Sequence, residues 1–121
     1  MVLKDLFYAP EGQKDPYTSA AVYLAHCYIM LGAWGVFAIG WDVWAATILV
    51  PVAYGLLWEL PQFLIAEKQT KALAWDCVFD TTAVAFGCYA AALLKTSYMH
   101  QALWAWVASV FVAWIAYRVR E

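Results

Sequence analysis

Four runs of largely apolar residues, each about as long as a bilayer is thick, leave this chain few folds to adopt. A helix rises about 1.5 Å per residue, so about 20 apolar residues cross a hydrocarbon core of about 30 Å. Residues 20–39, 43–66, 72–94 and 98–117 each meet that length. Short polar connections at 40–42, 67–71 and 95–97 separate them, so consecutive helices are expected to be antiparallel neighbours. No segment alternates with a period of two, and an open sheet cannot satisfy its backbone in lipid. The expected fold is all-α: a polytopic membrane protein whose residues 18–121 form an antiparallel bundle of four transmembrane helices. Residues 1–17 form a polar N-terminal tail or interfacial segment, with no apolar run following a charged start as a signal peptide would have.

Composition gives the same answer from another side. The chain is 66% hydrophobic and 13% charged, against about 45–50% and about 25% in soluble domains. A chain of 121 residues has too small a core to hide that excess, so its solvent is lipid. No basic cluster or nucleic-acid motif is present, which argues against nucleic acid as a partner. Membrane lipids, other membrane subunits or further copies of the chain fit better. Cys27, Cys77 and Cys88 sit in separate apolar runs and read as small packing residues.

Lys and Arg near the span ends set the orientation. Lys4, Lys14, Lys68, Lys71, Arg118 and Arg120 fall on one side and Lys95 on the other. Both termini are therefore expected in the cytoplasm, with the chain integral to the inner membrane. Trp41, Trp44 and Tyr98 then mark the outer interface, and Tyr17, Trp75 and Tyr117 the inner one.

Against this background the intramembrane polar residues stand out. A charge at the centre of a spanning helix costs about 2.5–3.5 kcal/mol on insertion scales. Yet Glu59 and Gln62 lie in the second span, Asp76 and Asp80 in the third, and His26 in the first. Counting inward from the cytoplasmic ends puts His26 and Glu59 both roughly 12 Å deep, with Asp80 close to that level. Three helices thus deliver polar groups to one depth, while the outer half of each span is almost wholly apolar. Asp76, Asp80, Ala83 and Gly87 fall on one helical stripe, and Ala83, Gly87 and Ala91 make a seam of small residues that admits a neighbouring helix. Gly55, Glu59, Gln62 and Ala66 form a facing stripe. Pro61 deprives the carbonyl of Leu57 of its helical partner, adding a potential acceptor near Glu59.

One imidazole and several carboxylates suit a divalent metal, with His26, Glu59, Asp76 and Asp80 as ligands and Gln62 as an orienting partner. They equally suit a proton relay or a polar lipid head group. If the site is catalytic, Glu59, Asp80 and Asp76 would carry the chemistry through a metal-bound or carboxylate-activated water. His100 lies at the opposite end and reads as interfacial. No two histidines share a level, which argues against bis-histidine haem; a single ligand role for His26 has no second residue behind it.

On these residues the chain resembles the VanZ-like family of small bacterial and phage membrane proteins. The family pattern is a Glu with a polar residue three positions later, then, after a loop, an Asp, an Asn four positions on, and small residues beyond. Glu59, Gln62, Asp76, Ala83 and Gly87 match it, and His26 matches an early His of several relatives; Asp80 stands where Asn is usual. The resemblance covers roughly residues 18–94 and implies a role in the cell envelope and its lipids. The segment 7–12, Phe-Tyr-Ala-Pro-Glu-Gly, looks like the start of some phage membrane proteins. Two other classes remain open: a structural or accessory subunit of a larger membrane complex, and a holin-like or ion-conducting oligomer.

Overall fold

The computed structural model describes residues 16–120, with side chains over 21–119. Most of the expected tail, 1–15, lies outside it. The described chain is helical throughout, with α1 (Pro16–Ile29), α2 (Leu31–Gly40), α3 (Val43–Tyr54), a π-helical turn (Gly55–Glu59), α4 (Leu60–Ile65), α5 (Lys71–Lys95) and α6 (Met99–Arg120). Four stretches are long and apolar enough to cross a membrane: Ala21–Gly40, Val43–Ile65, Lys71–Lys95 and Met99–Val119. Their ends agree with the hydropathy boundaries to within two residues.

Local chemistry starts and stops these helices. Asp42 Oδ1 accepts the backbone N–H of Ala45 at 2.8 Å and opens α3. Thr70 Oγ1 accepts that of Leu73 at 3.1 Å and opens α5. Each side-chain oxygen satisfies one of the donors a helix start leaves free. Between α5 and α6 the N–H of Tyr98 bonds the carbonyl of Leu93 at 2.8 Å, and that of Ser97 bonds Leu94 at 3.2 Å. This is a Schellman stop, and Ser97, at φ 68°, takes the left-handed position that glycine usually fills.

The long helix α5 is the hub and touches every other span. One face sets Val84, Cys88 and Ala92 against Trp34, Ala46, Val50 and Tyr54. Another sets Ala83 against Tyr23, Cys27, Ala113 and Ala116. Near its end Leu93 packs on Ala102 and Ala105 of α6. Where α5 meets α1, Gly87 lies so near the backbone of Cys27 that a Cβ on it would overlap the Cys27 carbonyl. The small-residue seam is therefore the surface on which the first span docks, and side-chain volume is excluded there because the two backbones nearly touch.

The first span is not one helix. At Met30 the backbone leaves the α region (φ −105°, ψ 11°) and separates α1 from α2. The α1 half packs on α5 and α6, whereas the α2 half packs chiefly on α3 and more lightly on α5. The Trp34 indole N–H donates to Thr47 Oγ1 at 3.0 Å, and the Thr47 hydroxyl donates to the Val43 carbonyl at 2.7 Å, tying α2 to α3. Met30 itself is a good helix former; the break lies two residues before Gly32 and coincides with the change of main packing partner.

Candidate metal centre

The second span supplies Glu59 through its irregular turn. Pro51 lies inside α3 and Pro61 in the first turn of α4. Between them the ladder widens, and the N–H of Leu60 bonds the carbonyl of Gly55, five residues back. In a regular α-helix, residues five apart point about 140° away from each other. The wider turn puts them on the same side, and the Tyr54 phenol donates to Glu59 Oε1 at 2.5 Å. The turn is pinned to α5: a Cβ on Gly55 would stand 3.2 Å from Thr81 Cγ2, and the Cys77 thiol lies 3.5 Å from the Glu59 carbonyl. Single π-turns of this kind collect at functional sites, where they re-aim one side chain.

From α1, His26 turns toward the same point. Its Nδ1 lies 2.8 Å from the carbonyl of Val22. A carbonyl only accepts, so this contact assigns the Nδ1 proton and leaves Nε2 to face inward. Nε2 stands 3.6 Å from Asp80 Oδ2 on α5. The ring also meets Tyr54 edge-on, centroids 6.4 Å apart. His26, Glu59 and Asp80 each offer one ligand atom, all within 4.8 Å of one another.

The two carboxylates are deeply buried, whereas the His26 side chain is 21% exposed. Glu59 is 3% exposed and Asp80 5%. Glu59 Oε2 is buried with no hydrogen-bond partner among the described residues. An unmade bond on a buried polar atom costs about 1–3 kcal/mol, more for a charged group. A lone imidazole nitrogen, a carboxylate and a half-satisfied carboxylate converging in a low-dielectric interior make a strong field for a positive charge. A metal ion or a proton can answer it.

Of the residues expected in the site, His26, Glu59 and Asp80 come together. Asp76, one turn toward the N-terminus of α5, is half-buried and outside the three-donor group. Gln62, three residues after Glu59 on α4, is half-buried. His100 is exposed at the far end, on the first turn of α6. A lateral groove of about 400 Å³ lies between the second and third spans. Glu59 lines it with Gly55, Phe63, Cys77, Val78 and Thr81, whereas His26, Asp76 and Asp80 do not. Tyr54 was missed altogether. Its spacing of five from Glu59 fits no helical face, and the flanking prolines were the available hint of a widened turn.

No protein-family profile matches this chain, and no curated protein or solved structure matches it significantly.

Proposed function

We propose that this chain is a multi-pass inner-membrane protein whose His26–Glu59–Asp80 centre binds a divalent cation at bilayer depth. The observation that carries the reading is the buried Glu59 carboxylate, whose Oε2 has no hydrogen-bond partner among the described residues and which offers an oxygen within 4.8 Å of donor atoms on His26 and Asp80. A purely structural carboxylate would be expected to satisfy both its oxygens. A proton could neutralise the cluster, but a shared proton does not account for three donors converging from three spans. The partial VanZ-like pattern on Glu59, Gln62, Asp76, Ala83 and Gly87 supports a role in envelope-lipid chemistry, and the groove beside Glu59 gives lipid a side entrance. Purified protein is expected to carry close to one equivalent of divalent metal, and Glu59→Gln and Asp80→Asn to carry little; metal content by mass spectrometry decides it. Unchanged content in both variants would sink the reading.

The excess of Lys and Arg at one end supports cytoplasmic termini. A reporter active only in the cytoplasm, fused after Glu121, is expected to be active; one active only in the periplasm is not.

A further inference from the structure

Resting on the cation-binding reading above, we infer that the centre is selective for a first-row transition ion of the zinc, cobalt or manganese kind over magnesium and calcium, with Tyr54 as a positioning residue for Glu59. The donor set argues this first. One imidazole and two carboxylates suit zinc, iron, cobalt and manganese, whereas magnesium and calcium prefer oxygen alone. Calcium asks for six to eight oxygens, about twice what Glu59 and Asp80 can offer together. One of those oxygens is already engaged by Tyr54. Magnesium keeps most of its water shell and is usually held by one or two carboxylates with substrate phosphates, so an imidazole donor does not favour it.

Geometry argues the same. Two ligands at about 2.0–2.2 Å from a tetrahedral ion stand about 3.3–3.6 Å apart. The His26 Nε2–Asp80 Oδ2 edge is 3.6 Å. The longest edge of the triangle is no more than 4.8 Å, so a small inward movement of Glu59 completes the set. The fourth position stays open to water or to a ligand oxygen, as in zinc sites with three protein donors.

The surrounding contacts have the form metal sites use to hold their ligands. His26 is oriented through Nδ1 by the Val22 carbonyl, which presents Nε2 as the ligating nitrogen. Tyr54 holds Oε1 of Glu59, leaving Oε2 as the free donor. The π-turn that brings Tyr54 and Glu59 to one side is therefore part of the site.

The test uses the full chain in detergent, freed of metal and titrated with Zn²⁺, Co²⁺, Mn²⁺, Mg²⁺ and Ca²⁺ separately. Co²⁺ is expected to bind one to one with a visible absorption band, and about a 100-fold excess of Mg²⁺ or Ca²⁺ should leave that band in place. His26→Gln is expected to weaken Co²⁺ at least about 100-fold and to alter the band. Tyr54→Phe should weaken it about 10- to 100-fold with the band retained, the usual size of an outer-shell effect. Displacement of Co²⁺ by equimolar Mg²⁺ or Ca²⁺ would overturn the selectivity while leaving cation binding standing. An unchanged band and affinity in His26→Gln would overturn it too. If no divalent ion binds the parent chain, both this assignment and the reading beneath it fall. The selectivity series needs no variant, so misfolding of a mutant cannot shield the inference.

Discussion

Replacing Gly87 by alanine is expected to cost about 3 kcal/mol or more and to loosen the cation site as well. The added Cβ would overlap the Cys27 carbonyl, which is backbone and cannot turn aside. Overpacking a core by one methyl often costs about 1–3 kcal/mol, and a clash with main chain falls at the top of that range or beyond. The first span has to move away from α5 to relieve it. His26 adjoins Cys27, so the same movement carries Nε2 away from Asp80 and weakens ion binding at a distance. Gly32→Ala is the control, because nothing lies within 4 Å of a Cβ built there. Removing glycine from an exposed helical position should be neutral or add up to about 1 kcal/mol. Thermal unfolding in detergent, followed by circular dichroism, separates the two variants. Similar midpoints for Gly87→Ala and the parent would show that the close approach of α1 and α5 is not required.

The Tyr54–Glu59 pair is expected to show stability and binding moving in opposite directions. Tyr54→Phe removes the phenol that donates to Glu59 Oε1 and should cost about 1–3 kcal/mol in the metal-free protein. Adding Glu59→Leu to that variant removes the stranded carboxylate too. Replacing both partners of a buried polar contact by apolar groups is often neutral or stabilising. The double variant should therefore recover the stability of the parent or exceed it, while cation affinity falls at least about 100-fold. Such a result would mean that the carboxylate is retained at a cost in stability for what it binds, as polar groups at functional sites commonly are. A double variant less stable than Tyr54→Phe alone would make Glu59 a structural residue.

Much of this molecule follows from local rules applied along the chain. The four spans and their ends were legible because span length depends only on hydropathy and helical rise, both properties of consecutive residues. The common level of His26, Glu59 and Asp80 along their helices followed from the same rise, counted from the polar turns, and the three do meet. The seam of Ala83 and Gly87 was visible as a stripe at helical spacing, although its partner was not. What hydropathy could not show is where regular geometry fails. The break at Met30, two residues before Gly32, falls inside an unbroken apolar run and marks where the main neighbour changes from α5 and α6 to α3. The π-turn at Gly55–Glu59 inserts one residue into the phase of the second span. That one residue joins Tyr54 to Glu59, which also stands on the wall of a lateral groove. The sequence by itself determined how many apolar spans there are, how long they run and at what level along each one the polar groups lie, because these depend on one span at a time. Only the tertiary structure decided which of those groups meet, because a meeting depends on two helices at once and on every departure from 3.6 residues per turn between them.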